Sequence, residues 1–377
     1  MPDSAWRIRS LLNPDGEIEL SLTEEPVPQP GPDEVLIRVQ AAPINPSDLG
    51  QLFAAADPGS FRQSGTDDRP VVRAPVSKHI LEALAPRVNV PMGAGNEGAG
   101  YVVAAGDSSA AREMLGHVVA SFAGNMYAQY RCVPVAQCMP LPAGVTAAQG
   151  ASCFVNPMTV LGILETTRLE GHAALVQTAA ASNLGQMLNR VCMEDGRDLV
   201  SVVRSEDQER LLRAQGARHV CNSSQPSFDH DLLKAIATTN ATICFDAVGG
   251  GDLAGRILAA MERAQAQKAS GYSLYGTAIH KQVYIYGALD TTPTTLRRDY
   301  GASWSIAGWL LPQFLQKIGP DAVRRLQQRI IGGLQTTFAS QYRKEISLAE
   351  ALRVGEIAIY ARRSTGGKYL INPQRTS

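Results

Sequence analysis

An excess of charge of either sign is missing from this chain. Its 35 Lys and Arg face 35 Asp and Glu, giving a formal net charge of zero with histidine neutral. A chain so balanced exerts no net pull on nucleic acid or an anionic membrane, and neither is expected as a partner. Cysteine pairs are missing too. Cys132, Cys138, Cys153, Cys192, Cys221 and Cys244 contain no C-x-x-C spacing, which points to free, mostly buried thiols in a reducing compartment. No apolar run is read as approaching the roughly 20 residues that span a bilayer. The opening Met1-Pro-Asp-Ser-Ala-Trp6 carries an early acid and no apolar core, so no signal peptide is expected. Cytoplasmic localisation is the expectation. No internal repeat or low-complexity segment is visible.

What is present is apolar and long. At 377 residues the chain exceeds one ordinary core, so two domains are expected. Its 45% apolar and 19% charged residues describe a soluble globular chain. Glu17-Ile-Glu-Leu-Ser-Leu22 and Glu34-Val-Leu-Ile-Arg-Val-Gln40 alternate as strands around the proline-rich turn Pro26 to Pro32. Ala41 to Asp48 reads as irregular backbone fixed by two prolines. Residues 51–92 lack strong periodicity apart from a helical patch around Ser77 to Leu84. Tyr101 to Ala105 and Gly116 to Phe122 read as further strands, completing a partly closed all-β domain.

After Pro142 the pattern changes. Ala147 to Glu165 reads as helix, and a β/α alternation begins at Ala174. Strands are expected at Ala174–Gln177, Leu199–Val203, His219–Asn222, Ala241–Phe245 and Val283–Tyr286. Helical stretches such as Gln186–Cys192, Glu206–Gln215 and Leu253–Ala264 lie between them, which predicts a doubly wound parallel sheet. Phe314 to Ile331 reads as a long helix. Thr336 to Ile346 and Gly367 to Ile371 are strand-like again and return the tail to the first domain.

The first strand of that alternation runs into Thr178-Ala-Ala-Ala-Ser-Asn-Leu-Gly185, a turn of small residues before a helix. Such a turn lets a phosphate approach the backbone, and a helix N-terminus offers it free N–H groups. An NAD site expects an acid roughly twenty residues further on, and that place holds Arg204, which suits a 2′-phosphate. The loop lacks a full G-x-G-x-x-G, so helix packing alone is an alternative reading of it.

Several further motifs occur in order: Pro26 to Val39, Ile44-Asn-Pro-Ser-Asp48, Gly95-Asn-Glu-Gly-Ala-Gly100, Asn156-Pro-Met-Thr159, Phe245-Asp-Ala-Val-Gly-Gly250 and Gly367-Lys-Tyr-Leu-Ile371. Together with the small-residue loop, the order resembles the medium-chain dehydrogenase/reductase superfamily. The resemblance is to its zinc-independent NADPH:quinone oxidoreductase branch and covers nearly the whole chain. It implies an α/β fold: a GroES-like β domain (1–155 and 335–377, a partly closed barrel) and a Rossmann domain (156–334). It also implies NADPH as cofactor, a small-molecule acceptor, and a homodimer formed through the Rossmann domain, for which Gln282 to Leu289 is the strand to examine.

The zinc members of that superfamily hold their catalytic metal by cysteine and histidine. The matching positions here are Asn45 and Asn96, with Asn156 or a close neighbour near the third, and amides are poor zinc ligands. No metal is expected. The resemblance places Asn45 beside the nicotinamide ribose in an interdomain cleft, as the candidate catalytic residue and a cofactor contact; bonding a neighbouring turn is its alternative. Asn156 and Thr159 resemble positions on the nicotinamide side. Ala181, Ser182, Asn183, Leu184 and Gly185 form the pyrophosphate turn, with Ser182 adding a hydroxyl donor and Asn183 taking a left-handed backbone in place of glycine. Arg204, Ser205 and Arg363 are assigned to the adenosine phosphate, and Val248, Gly287 and Ala288 to the nicotinamide half. Tyr127 and Tyr130 are read as cleft-lining or core.

Two departures stand out. The segment between Asp48 and Gly93 is longer than this branch usually has, as a lid, a specificity loop or variable surface. The tyrosine often found five residues after the asparagine is Gly50. The enoyl thioester reductases of the superfamily also need a tyrosine after that motif, where this chain reads Gln51-Leu-Phe-Ala-Ala-Ala-Asp57. Enoyl thioester reduction is therefore the second reading, and a non-catalytic NADPH-binding protein the third.

Overall fold

The computed structural model describes residues 1–362 and 368–376. Two compact units emerge, Met1–Val155 with Arg329–Ser377, and Asn156–Gln328.

The first unit is built on two sheets. Strand Ser4–Leu12 pairs antiparallel with Glu17–Pro26, and these anchor a five-stranded sheet ordered Arg62–Gly65, Pro70–Pro75, Glu17–Pro26, Ser4–Leu12, Met92–Gly93. In the second sheet Cys138–Pro140, Val118–Ser121, Gly98–Ala105, Glu34–Pro43, Lys368–Ile371 and Tyr342–Ile346 follow one another, with Tyr130–Pro134 also on Glu34–Pro43. Period-two alternation sorts the faces: Val35, Ile37 and Val39 enter the main core, while Leu36 joins a small cluster with Ala5, Val27 and Cys132. Tyr127 is a core residue, 1% exposed, whose hydroxyl donates to the Pro43 carbonyl.

Several expectations for this unit change. Ala41 to Asp48 is not irregular throughout, because Pro46–Phe53 is a helix with proline in its first turn. The Asp48 carboxylate bonds back to the Asn45 N–H and caps it. Residues 62–75 form a hairpin that extends the first sheet; its alternation is hidden because Arg62–Gly65 is exposed on both faces. Arg87 ties the same segment down, donating to the Ser10 hydroxyl at 2.7 Å and to the Gly50 and Gln51 carbonyls. Of Thr336 to Ile346, only Tyr342–Ile346 is strand.

The second unit is a six-stranded, all-parallel sheet. Its order is His219–Asn222, Leu199–Val203, Leu175–Gln177, Ile243–Asp246, Lys281–Ile285, Trp304–Gly308. Helices Asn183–Glu194, Glu206–Ala214, Phe228–Thr239 and Leu253–Ala266 connect its strands. Val176, Val200, Val202, Cys244 and Val283 bury against Ile257, Leu258 and Met261, which is why these strands read as continuous apolar runs. The fold is the expected α/β class, a β unit that is antiparallel apart from the parallel pair Tyr342–Ile346 and Lys368–Ile371, hereafter the antiparallel unit, with a doubly wound parallel one.

Here too the structure corrects expectations. Gln282 to Leu289, the strand to examine for a dimer contact, does not lie at the sheet edge: Lys281–Ile285 is interior, paired with Ile243–Asp246 and with Trp304–Gly308. The short, glycine-ended Trp304–Gly308 escapes sequence detection and is the edge strand at the end opposite His219–Asn222. The helix expected from Ala147 to Glu165 is two pieces, Ala147–Gly150 and Val155–Leu169. Contrary to the reading of apolar runs, Ala147–Leu169 does have the length and hydropathy of a membrane span. Because 83% of that window is buried inside the protein, it is a core segment. Leu311–Gly332 is likewise interrupted, at Gly319 with φ 80° before Pro320. All six cysteines are free, and all but the half-buried Cys138 are buried.

Candidate functional site

In the parallel-sheet unit the candidate residues gather at the carboxyl ends of the strands, where open α/β sheets bind ligands. Strand Leu175–Gln177 leaves the sheet into the turn. Ala179 takes the left-handed conformation (φ 48°), so the backbone reversal expected of Asn183 occurs four residues earlier. Asn183 instead begins the helix, and Ser182 is its N-cap, accepting the Gly185 N–H at 3.1 Å. The Ser182 hydroxyl hydrogen remains available to an acceptor outside the helix. Ala180 and Ala181 are 0% and 1% exposed and pack with Val203, Leu212 and Val220. Ala181 therefore offers a ligand its backbone and not its side chain.

Gly185 explains the one glycine kept. A Cβ there would overlap the backbone of Ala180, so only glycine lets the helix close on the turn. Gln177 holds the same junction from the strand, donating to the Gly185 carbonyl and the Ser201 hydroxyl. On the neighbouring strand, Arg204 is exposed at the carboxyl end, and Ser205 caps the following helix through the Gln208 N–H. Helix N–H groups, a serine hydroxyl and an exposed guanidinium make a donor set that fits a phosphorylated dinucleotide.

The turn after Ile243–Asp246 is organised by two side chains not singled out from sequence. The Asp246 carboxylate is fully buried and accepts the Val248 and Gly249 N–H groups and the Thr178 hydroxyl; Thr178 in turn accepts the Ala247 N–H. This links the first and fourth strand ends. Val248 is further joined to the segment after the fifth strand, since its carbonyl accepts the Asp290 N–H and Ala247 accepts from Leu289. Gly287 lies against the Ala247 backbone too closely for any side chain. The structure thus brings Val248, Gly287 and Ala288 into one assembly, with the Ala181–Gly185 turn tied to it through Thr178. Asn156 and Thr159 are buried on helix Val155–Leu169. Arg363 lies outside the described residues.

In the antiparallel unit Asn45 is 1% exposed and sits among charges. Its Nδ2 donates to Glu97 Oε1 at 2.9 Å, and its Oδ1 accepts from Lys368 Nζ at 2.6 Å. The other Glu97 oxygen accepts the Phe154 and Val155 N–H groups at 2.9 and 2.8 Å. Lys368 also reaches the Ser152 hydroxyl at 3.4 Å, itself bonded by Tyr342, and stands 3.9 Å from Glu97. Burial lowers the Lys368 pKa against the opposing charges of Glu97 and Asp48. Asp48 is pushed up to about 6 by burial; N–H bonds from Asn45 and Asn96 oppose that rise and the Glu97 charge adds to it. The Asn96 side chain bonds Gln51 and Ser47, and its backbone N–H donates to Asp48 at 2.8 Å, so Asp48 joins it to Asn45.

Glu97, Lys368, Asp48, Thr178 and Asp246 lie within the sequence motifs, which do not by themselves point to their place in the site. The available signal was an ionisable residue inside a stretch of glycines or apolar residues, as in Gly95-Asn-Glu-Gly and Gly-Lys368-Tyr-Leu-Ile. Buried charges are rarely tolerated unless paired. Among the described residues, no group of three His, Cys, Asp or Glu is placed to share a metal ion.

The alcohol dehydrogenase GroES-like domain family matches residues 31–143. A synaptic vesicle membrane protein VAT-1 homolog from Rattus norvegicus is 28% identical over 229 residues, 60% of this chain and 49% of that protein. A quinone oxidoreductase of Pseudomonas aeruginosa is 26% identical over 200 residues, 52% of this chain and 61% of that one. The matched region thus spans about half the length of the curated relatives, or a little more. A solved structure from Mesorhizobium loti, presented as an NADPH:quinone reductase, superposes with a TM-score of 0.74 at 26% identity, covering 99% of each chain. Residues 31–143 thus match a GroES-like domain of the alcohol dehydrogenase kind, and the whole chain is similar in sequence and fold to quinone oxidoreductases.

Proposed function

We propose that this protein is an NADPH-dependent oxidoreductase that reduces a quinone or another electron-poor carbonyl or enone without a metal ion. The observation that carries the reading is the Thr178–Gly185 turn, capped by Ser182 and closed by Gly185, with Arg204 exposed at the next strand end. The turn and helix N-terminus would hold the pyrophosphate, and Arg204 with Ser205 the 2′-phosphate. Bound NADPH supplies the hydride, so an acceptor that is already electron-poor needs little acid catalysis from the protein. Asn45 would orient the reacting groups through the hydrogen-bonding capacity its carboxamide retains. The metal-free reading is supported by the Lys368 ammonium at 2.6 Å from Asn45 Oδ1. A cation there repels the divalent ion that a zinc enzyme would carry at the matching position. A homodimer through the parallel-sheet unit belongs to the same reading, now with Trp304–Gly308 as the strand that would meet its partner.

The test is NADPH oxidation followed with a panel of quinones, an enone and crotonyl-CoA, repeated with NADH. Turnover of quinones or the enone, preferring NADPH, is expected. Turnover of crotonyl-CoA alone would make the protein a thioester reductase, and tight NADPH binding without any turnover would make it a non-catalytic binder.

A further inference from the structure

The antiparallel unit places a lysine where nothing in its core packing requires one. Lys368 opens the strand Lys368–Ile371, whose register is fixed: Leu370 pairs with Pro43, Ile371 with Ala42, and the Ile44 N–H donates to the Tyr369 carbonyl at 2.9 Å. That register sets Lys368 beside Asn45. We propose that Lys368 is a positioning residue for Asn45, holding the carboxamide, together with Glu97, in one of its two flip states. This rests on the reading of Asn45 as the residue that orients the reacting groups.

The argument is one of donors and acceptors. Lys368 Nζ can only donate, and it meets Asn45 Oδ1; Glu97 Oε1 accepts from Asn45 Nδ2. Rotating the carboxamide by half a turn would set its NH2 against an ammonium and its oxygen against a carboxylate. Both contacts would then be repulsive, in a site where all three residues are at least nine-tenths buried. The two ends of the clamp are themselves held. Glu97 is fixed by two backbone N–H groups, and Lys368 is steadied by Ser152, which Tyr342 orients. Asn45 therefore presents its second N–H and its second lone pair on defined sides. A glutamine at 368 retains a donor for Oδ1 without the charge, whereas a methionine of similar length retains neither.

The experiment compares the wild type with Lys368→Met, Lys368→Gln, Asn45→Ala and the double variant Asn45→Ala/Lys368→Met. Steady-state quinone reduction is measured alongside the NMR signals of the Asn45 side-chain amide, assigned by their loss in Asn45→Ala. Lys368→Met is expected to lower kcat roughly tenfold or more, with acceptor KM moving less than about threefold, and Lys368→Gln to recover most of that loss. The double variant should be no slower than Asn45→Ala. A wild-type kcat in Lys368→Met, or additive losses in the double variant, would overturn the proposal. If Lys368→Met does not fold, Lys368→Gln takes its place in the cycle. If the wild type reduces no acceptor, it is the functional reading that fails, and the amide signals decide the positioning alone. Signals that shift and exchange faster in the lysine variants support it, and signals that stay in place sink it.

Discussion

The two units build their candidate sites in opposite ways. The parallel-sheet unit offers backbone: alanines pack inward, a serine caps a helix, and a single glycine permits the close approach. The antiparallel unit offers side chains, with Glu97 and Lys368 both bonded to Asn45 and all three buried. A backbone site tolerates changes of side chain where the chain path is kept. A buried ionic site tolerates almost none, because each group is the partner that makes its neighbour's burial affordable.

The strongest way to break that contrast is Glu97→Ala. It strands the Lys368 ammonium and two N–H groups, and a loss of about 3–5 kcal/mol in unfolding free energy is expected by denaturant titration. A loss below about 1 kcal/mol would show that the cluster admits water freely. Gly185→Ala strikes the backbone site at its one intolerant position. A cost of roughly 2–3 kcal/mol is expected, with NADPH binding lost in a fluorescence titration, because the helix must move off the turn.

Proton linkage separates the units as well. The folded Asp48 pKa lies near 6, above the ordinary value. A raised acid binds its proton more tightly when folded, so its contribution is greatest at low pH and declines as pH climbs from about 4 to about 6. Roughly 2–3 kcal/mol should disappear across that window in the wild type relative to Asp48→Asn, measured by urea unfolding at each pH. Arg204→Asp should weaken NADPH roughly tenfold or more, close to 1.5 kcal/mol, while sparing NADH. Equal affinity for both cofactors before and after the change would remove Arg204 from the site. The smallest effect is expected from Ser182→Ala, about 1 kcal/mol of helix capping. An accompanying few-fold loss of NADPH affinity would show that the hydroxyl also serves the ligand.

The same contrast governs what could be read from the amino acids. The α/β class was legible because Leu199–Val203 and Ile243–Asp246 are buried on both faces and announce themselves as apolar runs. Trp304–Gly308 was not, being half exposed and flanked by glycine, nor was the hairpin at 62–75, whose outer strand has no buried residue. In the turn, composition located the feature but not the residue that reverses direction. Ala179 and Asn183 differ in backbone angle, which tertiary packing decides. The Asn45 cluster was legible only in fragments, since its members lie at 45, 97 and 368 and only the sheet register brings them together. The sequence motifs named Asn45 without showing what grips it.

That separation has a consequence for how the chain reaches its final state. Lys368 and Asn45 are 323 residues apart, and the whole parallel-sheet unit is translated between them. A ribosome therefore releases Glu97 and Asn45 long before their counter-ion exists. Until the last strand docks, the region around Glu97 must stay hydrated, because a lone carboxylate is too costly to bury. Docking the strand that carries Lys368 is then the step that expels water and completes the antiparallel unit. Maturation would be slow and late, as closure of so long a loop implies, and nascent chains stopped short of residue 368 should remain accessible to protease in the first unit.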